Sequence, residues 1–442
     1  MVSHEKLLKD LNNSQLPSFL KRWLCTYLLG RQSVVNFRNE TSTSRNIRAG
    51  VPQGAVTSPL LFNFYLTNLP RPPEGIKLIQ YADDISIYAT GLNIDSLAAS
   101  ITQYAKEITA FLSERELLVS PEKSTVTLFT PDTREVQIHP NVMLDNQLVP
   151  LSKTPKLLGV TFDSMLTFSS HVKKAVDSTK KKINIMKSLA GSTWGQDKDT
   201  LIFTYKAIGR SVLEYGAPIW SPVIKDNNWK KLQTTQNQAL RIATGNVKMS
   251  NQDHLHQETK VLPVKEHTRL ISEQYLLNGY LPGNPGKTLT EKVLPDRDKK
   301  QTIQFYRNSV DNLVPILNKK DLKKKQKILH TKAVTDTINS YIPNKVLNLK
   351  PPEISQKEES LSRNSRVVLT QLRSGYSRVL NSYLHRINEE IEDKCPDCNT
   401  SPHTTDHLFN CQMKPTSLTP TDLWTNPDLV ARFLDLDETG VT

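Results

Sequence analysis

Two adjacent aspartates, Asp83 and Asp84, stand between two short β-forming runs at residues 76–81 and 85–89. In the second run Ile85, Ile87 and Ala89 alternate with Ser86 and Tyr88, the period of a half-buried strand. The pair therefore falls at the tip of an expected hairpin. Two carboxylates held there repel each other unless something positive neutralises them. Mg²⁺ suits the task, because it takes hard oxygen ligands and keeps substrate phosphates in its shell. Two such ions lower the pKa of an attacking hydroxyl and stabilise a leaving oxygen. The competing reading is a solvated turn, where Asp is common for local hydrogen-bonding reasons. An isolated Ala-Asp-Asp does not separate the two.

The surrounding pattern narrows the fold. Leu16, Phe19, Leu20, Trp23, Leu24 and Tyr27 recur at three- and four-residue steps and predict a helix over residues 14–36. A polar stretch runs to Asn46, followed by Gly50-Val51-Pro52-Gln53-Gly54. Ser58-Pro59 then reads as a helix start, with Ser58 as cap and Pro59 first in the helix. Leu97, Ile101, Tyr104, Ile108 and Phe111 mark another helix, and residues 124–130 a further strand. Helix, hairpin, helix and strand make up most of a β-α-β-β-α-β unit without its first strand. From Val172 the pattern turns helical, with Lys173, Lys174, Lys180, Lys181 and Lys187 off the apolar stripe. That face is either simply solvated or a track for phosphates. Further helices are expected over 199–213 and 226–243, and a linker over 282–300. The basic run from Asn318 to Lys327 reads as a solvated helix, a tail or a nuclear-import signal.

Composition points the same way. The 442 residues carry 57 Lys and Arg against 44 Asp and Glu, a formal charge of +13. Such an excess favours a polyanion partner through counterion release. The amino terminus shows no secretory h-region, and no apolar run approaches the ~18 residues of a membrane helix. A nuclear or cytoplasmic protein without membrane attachment is therefore expected. Four cysteines argue against a disulfide framework. Three of them belong to Cys395-x₂-Cys398-x₈-His407-x₃-Cys411, four soft ligands suited to tetrahedral Zn²⁺. His407 and Cys411 are one helical turn apart. His403 is the alternative nitrogen ligand, with a spacing nearer that of a retroviral zinc knuckle.

In ordered combination these segments resemble the reverse transcriptases of non-LTR (LINE-type, Jockey-like) retrotransposons. Residues 50–62 resemble the family motif with a Pro-Gln-Gly core and a following Ser-Pro helix. Tyr81-Ala82-Asp83-Asp84 resembles its Tyr-Ala-Asp-Asp motif. Leu118–Ser124 with Lys123, and Leu157-Leu158-Gly159-Val160, resemble the next two. Leu213–Trp220, Ala239–Gly245, Gln371–Tyr376 and His407-Leu408-Phe409 resemble the downstream regions of such elements. The resemblance implies an RNA-directed DNA polymerase, a nucleotidyl transferase joining dNTPs to a primer 3′-hydroxyl with two Mg²⁺ ions. Its partners would be template RNA and a DNA primer or target. It implies that Asp83 and Asp84 hold Mg²⁺ and that Tyr81 lies near the primer end. Gly50, Pro52, Gln53 and Gly54 would line the nucleotide and template pocket, and Gly159 would help seat the primer. Lys123 would sit near the departing pyrophosphate, unless it is an ordinary surface lysine. The zinc would be structural and would help hold template RNA or target DNA.

The resemblance also exposes a gap. The family places a further aspartate on the first palm strand, just before a Val-x-His-x-x-Leu pattern, and Val2-Ser3-His4-Glu5-Lys6-Leu7 matches that pattern. Neither Glu5 nor Asp10 falls on the strand that should carry the ligand. The expectation is an α+β chain that is truncated at its amino terminus and impaired in catalysis. Its four parts are an incomplete palm and fingers at 1–168, a helical thumb-like region at 169–281, a basic linker with helices at 282–364, and a Cys/His module at 365–442. The alternative is a non-catalytic nucleic-acid-binding remnant of such an element.

Overall fold

A computed structural model describes residues 1–191, 193–286 and 316–436 of the chain. The fold divides after Pro155 into two units. From residue 287 onward the expected linker lies outside the described residues.

The first unit opens with helices α1 (His4–Asn13) and α2 (Ser18–Leu28). Helix α1 buries Leu7 and Leu11, which sit one turn apart. The helix expected over 14–36 is shorter at both ends. Pro17 caps α2 and Gly30 adopts φ 68° just after it, so the chain leaves helical space on either side of the apolar stripe. It then forms an exposed arm in which β1 (Gln32–Ser33) pairs with β4 (Arg45–Asn46) and β2 (Asn36–Phe37) with β3 (Glu40–Thr41). Helix α3 (Ser58–Tyr65) starts where expected, but Ser58 is not its cap. Its hydroxyl donates to the Pro52 carbonyl instead, tying the helix start to the preceding turn.

Strands β5 (Ile76–Tyr81) and β6 (Asp84–Ala89) form an antiparallel hairpin. Helix α4 (Ile94–Glu114) follows, its first turn capped by Asn93, which accepts from the Ser96 N–H at 2.9 Å. The strand expected over 124–130 reduces to one bridge between Val126 and Leu151, bracketed by Pro121 and Pro131. A last hairpin pairs β7 (Met143–Leu144) with β8 (Gln147–Leu148). The core of this unit gathers Leu7, Leu11, Leu28, Leu61, Tyr65, Ile76, Tyr104 and Ile108 from helices α1 to α4 and the hairpin.

The second unit begins with the small hairpin β9 (Lys156–Leu157) and β10 (Val160–Thr161). Helix α5 (Ser169–Leu189) packs against α9 (Asp226–Thr244). Between them run α6 (Lys198–Thr204), a π-helical turn (Tyr205–Arg210), α7 (Ser211–Leu213) and α8 (Ala217–Trp220). Trp220 lies fully buried at the centre of this bundle. Helices α10 (Gln252–Thr259), α11 (Val264–Gly279) and α12 (Lys319–Ser340) extend it. The carboxyl-terminal part holds α13 (Arg363–Arg373), α14 (Asn381–His385), α15 (Thr405–Asn410), α16 (Asp422–Thr425) and α17 (Pro427–Phe433) around Leu369, Leu372, Leu380 and Trp424. Among the described residues every sheet has two strands, so the fold mixes helices with small sheets. No described helix is long and apolar enough to cross a membrane.

Candidate active site and metal centre

The aspartate hairpin is built on a six-pair antiparallel ladder from Ile76–Ala89 to Tyr81–Asp84. Tyr81 pairs with Asp84 in the ladder, leaving a two-residue turn of Ala82 and Asp83. Ala82 adopts φ 51°, a left-handed conformation that a residue with a Cβ rarely takes. Its carbonyl accepts from Gln80 Nε2 at 3.3 Å. Strained backbone of this kind persists where the surroundings impose it, often at functional sites. Tyr81, Asp83 and Asp84 are all exposed at the tip. Asp84 is the first residue of β6, one earlier than the sequence periodicity suggests.

The Gly50–Gly54 segment is anchored from a distance. The Gly50 N–H donates to the Val2 carbonyl at 2.7 Å, and His4 Nε2 donates to the Gly50 carbonyl at 2.7 Å. Ser3 and Ala49 form an antiparallel bridge between these two bonds. The Val2-Ser3-His4 pattern thus holds the turn that carries Pro52, Gln53 and Gly54. Gly50 and Gly54 adopt φ 91° and 82°, and a Cβ at Gly54 would meet nothing, so backbone freedom rather than crowding calls for glycine there. Gln53 and Gly54 are exposed. Lys123 is exposed at the end of a 3-10 turn, Pro121–Lys123. Asp10 is engaged elsewhere, in an ion pair with Arg115.

In the second unit Cys395, Cys398, His407 and Cys411 converge. Their ligand atoms all lie within 4.8 Å of one another. Cys395 Sγ is 3.9 Å from Cys411 Sγ, and Cys398 Sγ is 3.3 Å from His407 Nε2. A tetrahedral zinc with bonds of ~2.3 Å to sulfur has S···S edges of roughly 3.8 Å, so the donor set fits the ion. Helix α15 presents His407, and Thr404 caps it by accepting from the His407 N–H at 3.2 Å. The Cys398 thiol is pushed down to about 5, chiefly by the Thr400 hydroxyl donating to it at 3.2 Å. Burial raises the Cys395 thiol instead. His403 is turned away from the cluster. Its Nδ1 accepts from the Asn381 N–H at 3.1 Å.

Comparison with known proteins matches residues 1–162 to the reverse transcriptase (RNA-dependent DNA polymerase) family. Residues 1–162 are a reverse-transcriptase domain. The chain is 29% identical over 256 residues to the probable RNA-directed DNA polymerase from transposon X-element of Drosophila melanogaster, covering 57% of this chain and 28% of that protein. It is 28% identical over 286 residues to the corresponding probable polymerase from transposon BS of the same organism, covering 61% and 31%. The RNA-directed DNA polymerase from mobile element jockey, also of Drosophila melanogaster, is 23% identical over 258 residues, covering 57% and 28%. The chain thus spans under a third of the length of these relatives. All three relatives are named as polymerases of a transposon or mobile element.

The domain's last motif, Leu157–Val160, is joined to the downstream Leu213–Trp220 segment. Leu158 and Gly159 both adopt positive φ, 46° and 86°, as a tight primed hairpin turn requires. The Tyr215 hydroxyl donates to the Leu158 carbonyl at 2.9 Å. A Cβ on Gly159 would lie 2.7 Å from the Tyr215 ring, and one on Gly216 2.6 Å from Val160. The Tyr215 carbonyl in turn accepts from Trp220 Nε1 at 2.8 Å. Sequence reasoning recognised both segments without connecting them, because contacts across 57 residues leave no local signature. Gly159→Ala is expected to lower stability by about 1–3 kcal/mol through the forced backbone and the displaced tyrosine. An unchanged urea midpoint for that variant would refute the role of the contact.

Sequence reasoning also missed a buried ionic cluster. Lys198 Nζ lies 3.1 Å from Glu258 and 3.3 Å from Glu358. Arg373 is 3.0 Å from Glu258 and also pairs with Glu358. The Glu258 carboxylate accepts from Thr370 as well, and Arg373 Nε donates to the Leu423 carbonyl at 2.9 Å. Two cations thus neutralise two anions among residues far apart in sequence. Only Arg373 falls in a segment that the sequence singles out.

Proposed function

We propose that this chain is the polymerase part and carboxyl-terminal region of a non-LTR retrotransposon reverse transcriptase. It acts in RNA-directed nucleotidyl transfer to a primer 3′-hydroxyl. The observation that carries the reading is the Asp83-Asp84 hairpin in a reverse-transcriptase domain whose Gly50–Gly54 turn is independently anchored. Asp83 and Asp84 hold Mg²⁺, with Asp83 at the turn and Asp84 opening β6. When bound, Mg²⁺ would neutralise charge on the attacking and leaving oxygens. Tyr81 lies near the primer end, and Gly50, Pro52, Gln53 and Gly54 contact nucleotide and template. Gly159 seats the primer. Lys123 stands near the departing pyrophosphate as a charge or proton donor.

Two carboxylates suit one Mg²⁺ completed by water and phosphate oxygens. A two-metal centre asks for more. No third Asp, Glu, His or Cys joins the pair in a metal-holding group among the described residues. The same residues leave β5–β6 without a third strand. The chain alone is therefore expected to extend a primer on an RNA template only weakly in Mg²⁺. Asp83→Asn should reduce that residual extension by on the order of 10²-fold, the scale of losing one group that stabilises transition-state charge. Extension indifferent to Asp83→Asn would remove the hairpin from the mechanism. Complete inactivity of the unaltered chain, with RNA binding retained, would favour a second reading, a non-catalytic nucleic-acid-binding remnant. In either reading the lysines of α5 face the phosphates, and the zinc module helps hold template RNA or target DNA in the nucleus or cytoplasm.

A further inference from the structure

The basic run that begins at Asn318 is not a tail. It forms the first half of α12, a 22-residue helix capped by Asn318, whose Oδ1 accepts from the Lys320 and Asp321 N–H groups at 2.8 and 3.0 Å. Leu322 and Leu329 are buried with Leu270 and Leu277 of α11. Gln326 Nε2 also donates to Asn278 Oδ1 at 3.3 Å. At 100° per residue, Lys320, Lys323, Lys324 and Lys327 fall within about 100° of arc on the side opposite those leucines. All four are exposed. The only acids of the helix, Asp321 and Asp336, lie off that arc. Among the described residues none of these four ammonium groups has an ion-pair partner.

We infer that this face of α12 docks the phosphate backbone of a nucleic-acid strand, a contact separate from the polymerase hairpin, the α5 lysines and the zinc module. The inference rests on the proposed reading that the chain handles nucleic acid. Three features single out that partner. The helix cannot lie on a membrane as an amphipathic anchor, because its apolar stripe is already spent on α11 and an interfacial helix needs that stripe free. An import receptor reading the run as an extended peptide would first have to unfold a helix whose leucines are buried. Four unpaired ammonium groups over about 10 Å of helix match the charge of a strand that carries a phosphate every ~3.4 Å. Holding them together unpaired costs the free protein mutual repulsion, which a polyanion relieves.

The test compares the chain with a variant carrying Lys320→Gln, Lys323→Gln, Lys324→Gln and Lys327→Gln. Glutamine keeps helix propensity near that of lysine, so the far-ultraviolet spectrum should be unchanged. Binding to a single-stranded RNA oligonucleotide is followed across a salt series. The slope of log K against log salt should flatten by about 2 to 3, near 0.7 per lost phosphate contact. The corresponding four-arginine variant should retain the original slope. If the four-glutamine variant folds poorly, the pair Lys320→Gln and Lys327→Gln should give about half the change. A wild-type slope in a folded glutamine variant overturns the inference and leaves the polymerase reading standing. The same holds if that variant loses only affinity for an import receptor. Failure of the unaltered chain to bind RNA at all overturns both.

Discussion

A chain with Cys395→Ser and Cys398→Ser is expected to retain far less zinc than the one equivalent expected of the unaltered protein. Structural zinc is worth an apparent ~10–16 kcal/mol in small finger peptides. Here part of that is redundant, because Leu369, Leu372, Leu380 and Trp424 give the module a core of its own. The expected consequence is therefore a large fall in the thermal midpoint of the carboxyl-terminal region rather than complete unfolding, with the same fall on chelation. The histidines provide the sharper contrast. His407→Ala should lose most of the metal, since its ring faces Cys398 at 3.3 Å. His403→Ala should keep it, since that ring is occupied by the Asn381 N–H. Metal analysis showing the double-serine chain at full stoichiometry, or the two histidine variants reversed, would sink the assignment.

Arg373→Met is expected to destabilise the second unit by about 3–5 kcal/mol, the cost of leaving a buried charge unpaired. Arg373 is fully buried, and its removal leaves Lys198 alone against two carboxylates. Removing Arg373 and Glu358 together should cost less than removing Arg373 alone, because one anion leaves with the cation. A double-mutant cycle reads that coupling directly. The cluster also sets a pH dependence. Burial pushes the Glu258 carboxyl up, but Lys198 and Arg373 outweigh it and hold the group at about 2. A depressed carboxyl contributes stability above its unfolded value, and that contribution fades as pH falls toward the folded value. The loss should therefore run from about pH 4.5 down to about 2. In Arg373→Met the acid transition should begin at higher pH, because Glu258 has lost a cation. Denaturant titrations showing no coupling between the two substitutions would dissolve the cluster as an energetic unit.

The cluster has a structural consequence as well. Lys198 belongs to α6, Glu258 to α10, Glu358 to a 3-10 turn and Arg373 to α13. The charges therefore bind the helical region to the part that carries the Cys/His centre. Metal loss and charge removal should be felt in the same cooperative transition.

What the amino-acid sequence determined by itself was local. The alternation around Asp83 and Asp84 encodes the hairpin, because side chains on a strand repeat every two residues. The spacing of Cys395, Cys398, His407 and Cys411 encodes the Cys/His cluster, because a tight Cys-x₂-Cys turn and one helical turn bring those side chains within reach of each other. The order of the motifs carried the resemblance to reverse transcriptases, which the family match over residues 1–162 bears out. Tertiary structure alone decided what joins segments remote in the chain. The bonds from Val2 and His4 to Gly50, the seat of Tyr215 on Gly159 and the charges of Lys198, Glu258, Glu358 and Arg373 carry no periodicity. Each depends on which surfaces meet when the apolar stripes are buried. The aspartate hairpin shows both sides. Its turn is written in neighbouring residues, whereas the shortage of a third carboxylate beside it becomes a physical statement only once the described side chains are placed in space.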